Sequence, residues 1–134
     1  MTPEELRDRT KKFATDVVRF CETLPRNGRA QEIAEQLVDA ASGVGSNYRS
    51  TCRARSPDDF INKLAITLDC ADESLYWFQV LTESRLSDDA VTHTYRREAE
   101  ELTKIMAASL RTKKRNRALA KAREANKRKG PKAP

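Results

Sequence analysis

One histidine, one tryptophan, three cysteines and four glycines among 134 residues leave little from which to build a site for chemistry. The lone imidazole, His93, has no second histidine with which to share a metal ion or serve a nucleophile, so a solvated His93 beside Thr92 and Thr94 is the expectation. Cys21, Cys52 and Cys70 are odd in number and widely spaced, with no Cys-x-x-Cys, which argues against a disulfide framework and against zinc. Cys21 and Cys70 fall on apolar helix faces and read as small buried hydrophobes. Asp69, Asp72 and Glu73 gather on one stretch, but a di-iron site in a bundle needs Glu-x-x-His pairs, and this sequence has none. The expectation is therefore a protein that is not an enzyme and takes no cofactor and no metal.

Long apolar runs are missing too, so nothing in the sequence spans a bilayer. Met1-Thr2-Pro3-Glu4-Glu5 lacks the basic start and apolar centre of a signal peptide, and a cytoplasmic location without membrane contact is expected. Aromatics are 6%, and no strand-like alternation is sustained, whereas charged residues reach 34%. That balance favours helices, and the length suits one domain with a real core.

Four amphipathic segments account for most of the chain. Thr2-Pro3-Glu4-Glu5 is a capping box opening a helix to about Leu24, with Leu6, Phe13, Val17, Phe20, Cys21 and Leu24 as its stripe. Pro25 to Gly28 is a turn. A second helix, about Arg29 to Arg53, carries Ile33, Leu37, Ala41, Val44 and Tyr48, flanked by Ala40, Gly43 and Gly45. Such small residues let helices approach closely; Gly43-x-Gly45 has neither the preceding strand nor the lysine of a phosphate loop. Ser56-Pro57-Asp58-Asp59 caps a third helix reaching Glu83, with Phe60, Leu64, Leu68, Ala71, Leu75 and Phe78 on its seam. Ile61, Ile66, Trp77 and Val80 lie off that seam, so this helix is central or also meets another subunit. Ser87 before Asp88-Asp89 is expected to cap a fourth helix bearing Val91, Tyr95, Ala99, Leu102, Ile105, Met106 and Leu110. Short connections between such helices imply an all-α, antiparallel, up-down-up-down four-helix bundle over residues 1–110.

The net charge of +6 is a sum of unlike parts. Residues 1–110 hold 15 Lys and Arg against 19 Asp and Glu, net −4, while residues 111–134 hold 11 basic residues and Glu124 alone, net +10. Helix formers continue past Leu110 to roughly Asn126 before Gly130-Pro131, so a basic helical extension or tail follows the bundle. Too few large apolar groups remain to pin it, and it is expected to fray when free and to order on binding. Such a density of cations meets nucleic acid through salt-sensitive phosphate contacts, with Arg111, Lys113, Lys114, Arg115, Arg117, Lys121 and Arg123 as the candidate contacts. A solvated tail serving solubility is the plainer alternative. Arg49 and Arg53, four apart on one helix face, form a candidate secondary patch with Arg55, joined by Arg26 and Arg29 if the helix ends meet. The same arginines suit the negative end of a helix dipole and the acidic cap Asp58-Asp59 of the next helix, and Asp72 and Glu73 are plausible partners for Arg49 or Arg53 across the corner.

From Phe13 to Leu110 the chain resembles the bacterial four-helix bundle family first noticed as reading frames within intervening sequences of large-subunit ribosomal RNA genes. Ser42, Ser46 and Asn47, then Arg55-Ser56, then Phe60, Leu64, Ile66 and Leu68, and the pair Asp72-Glu73 carry the resemblance, and Leu86-Ser87 fits the family's turn. Many members read Ile-Ala-Glu-Gly after the Asn; here it is Tyr48-Arg49-Ser50-Thr51, which marks a subgroup. The resemblance implies a non-enzymatic bundle that assembles into a ring of identical subunits, typically a pentamer. Similar proteins include the accessory variability determinants of diversity-generating retroelements, basic pentamers that bind reverse transcriptase and nucleic acid. It thus implies an oligomeric accessory protein binding RNA or RNA/DNA. A scaffold that docks a partner enzyme, its basic tail incidental, is the alternative.

Overall fold

Thr2 Oγ1 accepts the amide of Glu5 at 3.1 Å and opens helix α1 (Pro3–Glu22). Helix α2 spans Gly28–Thr51. Ser56 Oγ accepts the amide of Asp59 at 3.0 Å, and with Pro57 in the first turn it starts α3 (Pro57–Glu83). Helix α4 (Ala90–Lys129) is capped by Asp89, not Ser87: Asp89 Oδ1 accepts both the amide and the hydroxyl of Thr92, while the Ser87 and Thr92 hydroxyls meet at 2.6 Å. An aspartate carboxylate accepts two bonds at once and complements the helix dipole, so it takes the cap from the serine. This computed structural model describes residues 1–130, so Lys132 of the basic stretch and Pro131 of the expected stop lie outside the described residues.

Each helix packs against its neighbours in sequence, α1 on α2, α2 on α3 and α3 on α4, and α1 closes on α4 along a short stretch. Arg9 joins those last two, its Nε and Nη2 donating to both oxygens of Glu98 at 2.9 and 2.6 Å. The core is one cluster running through all four helices, with Val17, Leu37, Val44, Leu64, Phe78, Leu81, Leu102 and Met106 fully buried. Phe20, Phe78 and Tyr95 form an aromatic trio, with ring centroids 5.5 to 6.3 Å apart. The buried hydroxyls are satisfied within their own helices: Thr51 bonds the Asn47 carbonyl and Thr67 that of Lys63, and the two hydroxyls meet at 3.4 Å between α2 and α3.

Two of the expected glycine roles take definite form. A β-carbon on Gly45 would sit 3.3 Å from the Thr10 carbonyl oxygen, so α1 and α2 approach here closely enough that a side chain would have to push the helices apart by a few tenths of an ångström. A β-carbon on Gly43 would sit 2.7 Å from Cys70 Sγ, which is how α3 places that half-buried thiol against α2.

The fourth helix departs from its expected seam at the start. Val91 is 55% exposed and Thr92 is fully buried, because the Asp89 cap turns Thr92 onto the line that continues through Ala99 and Met106. Further on, α4 passes Leu110 without a break and continues to Lys129. At about 1.5 Å per residue its 40 residues are about 60 Å long.

Candidate nucleic-acid interface

The antiparallel register of α3 and α4 decides where the basic residues go. Phe78 meets Tyr95, Phe60 lies under Lys113, and Asp58 meets Arg117, so stepping down α3 is stepping out along α4. Since Thr51 at the end of α2 contacts Thr67, the first turns of α3 run beyond the end of α2, alongside the start of the basic extension.

Lys113, Arg117 and Lys121, spaced by four, share the face of α4 that looks at those turns. Lys113 Nζ stands 5.1 Å from the centroid of the Phe60 ring. Arg117 Nε and Nη2 donate to the two oxygens of Asp58 at 2.9 and 3.3 Å, and Lys121 Nζ lies 3.7 Å from Asp58 Oδ1. Hydrogen bonding from Arg117, and then the charges of Arg117 and Lys121, hold the Asp58 carboxyl below the ordinary carboxylate range. Asp59 is occupied elsewhere, accepting the Arg55 amide at 3.1 Å and pairing with Lys63 at 3.0 Å, which leaves Asp58 for the extension. The extension continues as helix to Lys129, and from Lys113 to Lys121 charge and an aromatic face tie it to the body where large apolar groups are lacking.

Of the seven cations picked out from the sequence, the other four remain outward. Arg111, Lys114, Arg115 and Arg123 are exposed and make no ion pair among the described residues. Lys127 and Lys129 share this condition and were missed because they sit at the very end of the run, while Arg128 pairs with Glu124 at 3.7 Å. The sequence marks Asp58 as a helix-start acid and, with Asp59, as a partner of the corner arginines, whereas the structure pairs it with Arg117 and Lys121. Its spacing to Arg117 carries no local signal, and only the register brings them together.

Between the two helices lies a groove of about 510 Å³, floored by Pro57, Phe60, Ile61 and Ala120 and rimmed by Arg55, Lys113 and Arg117. Arg49 and Arg53 are elsewhere, exposed on a second groove, of about 600 Å³, between α1 and α2. They do not pair with Asp72 or Glu73, because the face that holds them turns to α1; Glu73 instead accepts from Trp77 Nε1 at 3.5 Å. Nor do Arg26 and Arg29 join them, since those lie at the opposite end of α2, Arg29 being about 30 Å from Arg49 along the helix. Cys21 is buried and its thiol is pushed up to about 11 by that burial, Cys52 is exposed, and His93 bonds Asp88 at 2.6 Å on the surface. Among the described residues no cluster of His, Cys, Asp or Glu is arranged to hold a metal ion, and no helix is long and apolar enough to cross a membrane.

The fold has a parallel among solved structures. A solved structure of a protein of unknown function from the S23 ribosomal protein family of Bacteroides thetaiotaomicron superposes with a TM-score of 0.72 at 24% identity, covering 83% of this chain and 99% of that one. That likeness is one of fold. No curated protein matches. The family model of the 23S rRNA-intervening sequence proteins matches residues 5–108, which takes in nearly all of the bundle and stops short of Arg111. On that match, the chain belongs to the 23S rRNA-intervening sequence protein family.

Proposed function

We propose that this chain is a non-catalytic, oligomeric accessory protein that binds nucleic acid, RNA or RNA/DNA, through the outer part of α4. One observation carries the reading: residues 111–130 put ten Lys and Arg and a single Glu on one continuous helix tied to the bundle. Cations held at such density repel one another, and a polyanion that neutralises them releases its own counterions, which makes binding strong at low salt and weak at high salt. Arg111, Lys114, Arg115 and Arg123 supply the phosphate contacts, with Lys113 joining as it leaves the Phe60 ring and Arg117 and Lys121 when Asp58 is displaced. Contacts of this kind fix position and specify little sequence. Ile66 and Tyr76, both about half exposed on α3, support assembly of identical copies, for which a pentameric ring is the form the family resemblance implies. A ring would gather its basic helices into one multivalent surface. A reverse transcriptase is the protein partner that the same resemblance implies, and the cytoplasm is the compartment proposed.

The same exposed residues of α3 favour a second reading, a scaffold that docks a partner enzyme on its body. Light scattering after size exclusion separates the two, run on the protein alone and with a structured RNA at low and high salt. A ring-sized species that takes up RNA at low salt only, and a chain truncated after Leu110 that keeps its size but loses RNA, are the expected results. A truncated chain that binds as tightly as the whole, or a ring that ignores RNA at both salts, overturns the nucleic-acid reading.

A further inference from the structure

The α1–α2 groove carries four cations, two on each wall. Arg7 and Lys11 line it from α1, and Arg49 and Arg53 from α2 and the residues just after it. Arg7 and Lys11 are four apart on α1, so that wall presents its charges in a row along the groove, while Arg49 sits on the last turn of α2 and Arg53 in the turn just past its end. None of the four makes an ion pair among the described residues. By contrast Arg9 and Lys12, on the same turns of α1, pair with Glu98 and Asp16. Asp8 is the one acid among the lining residues. Between the cations the lining is of short side chains, Ala14, Ser42 and Ser46 with Gly45, and at Gly45 the two helices come close enough for both sets of cations to border one groove.

This groove also runs into the one beside the extension. Cys52 and Arg53 line the first, and the next three residues, Ala54, Arg55 and Ser56, line the second. The connection from α2 to α3 therefore carries a basic surface from one groove to the other around the end of the bundle.

We propose that the α1–α2 groove binds the sugar-phosphate backbone of a nucleic-acid strand, with Arg7 and Lys11 on one wall and Arg49 and Arg53 on the other as the phosphate contacts. The inference rests on the nucleic-acid reading above and adds a site within the family-matched body, separate from the extension. It accounts for the small-residue run Ser42 to Ser46, which the extension does not use, and for why two cations of α1 are left without acids while their neighbours are paired. Cations on both walls suit a chain of phosphates, and the lining of short side chains, with the hydroxyls of Thr15, Ser42 and Ser46, suits sugars better than an apolar side chain.

The test uses the full chain and fluorescence anisotropy of a labelled oligouridine over a series of salt concentrations. R7Q/K11Q should bind about tenfold or more weakly in 0.1 M salt, and the slope of log affinity against log salt should fall by about 1.4, two contacts at about 0.7 each for a single strand. R49Q/R53Q should do the same from the other wall, and R7K/K11R should keep the wild-type slope. Wild-type affinity and slope in both glutamine pairs, alongside loss of binding on truncation after Leu110, would overturn the groove and leave the extension standing. If the wild-type chain itself fails to bind at low salt, the nucleic-acid reading falls and the groove with it. Glutamine pairs that lose poly-glutamate but keep RNA would make the groove a dock for acidic protein and overturn the proposal.

Discussion

Asp58 and Arg117 are 59 residues apart in sequence and meet through two hydrogen bonds, one from each of two guanidinium nitrogens to each carboxylate oxygen. This contact and the weaker one from Lys121 hold two cations of the extension against the body. Asp58→Asn removes the charge without the shape, so the amides of residues 113–121 should exchange faster with solvent. With both cations released to phosphate, the salt dependence of RNA binding should steepen by about one to two in its log–log slope. Unchanged exchange and slope would mean that the contact restrains nothing.

Acid gives the same contact a second signature. The Asp58 carboxyl is held below its ordinary 3.8 by the Arg117 hydrogen bond, so the folded value lies under the unfolded one. Its contribution is then fully present above about pH 3.8 and is lost as pH falls through the depressed folded value. An NMR titration of the Asp58 carboxyl should find a midpoint below 3.8, moving up in Arg117→Gln. A midpoint at or above 3.8 in the wild type would contradict the geometry.

Gly43 and Cys70 should prove energetically coupled. Gly43→Ala gains up to about 1 kcal/mol of helix propensity but forces its β-carbon into Cys70 Sγ, and overpacking of this kind costs about 1–3 kcal/mol. A net loss of about 1 kcal/mol is expected, and Cys70→Ala should relieve it. Urea denaturation of both single variants and the pair should give a coupling of at least about 0.5 kcal/mol in favour of the pair. Strict additivity would show that α2 and α3 yield freely there.

Phe78 is fully buried within the aromatic trio, and Phe78→Ala should cost about 3–5 kcal/mol in the same measurement. A loss under about 1 kcal/mol would mean that the centre of the bundle repacks with ease.

Helix existence and most caps were legible because they are local. Thr2 with Glu5, and Ser56 with Pro57 and Asp59, place their bonds within one turn, so the residue types alone locate α1 and α3. The Ser87 assignment failed for a local reason as well, two cap formers lying side by side and the charged one prevailing. What could not be read was anything set by register. Asp58 with Arg117, Lys113 over Phe60, and Arg49 and Arg53 turned to α1 rather than to Asp72 and Glu73 all depend on how far one helix slides along another. No spacing in the sequence encodes that slide. The count of cations past Leu110 was plain, but which of them turn inward followed only from the position of α3.

The uninterrupted passage of α4 through Leu110 turns sequence position into angle. Each residue of the extension lies about 100° around the axis from the one before, and because the bundle clamps the near end, that angle is referred to the body and not to the helix alone. The charge of this segment is therefore a direction as well as an amount. A single alanine added after Leu110 would leave every charged residue and the net charge untouched, yet it would rotate every cation beyond it by about 100° and carry Arg117 off Asp58. Two chains with the same basic stretch, differing by one residue at this junction, would present it to different neighbours.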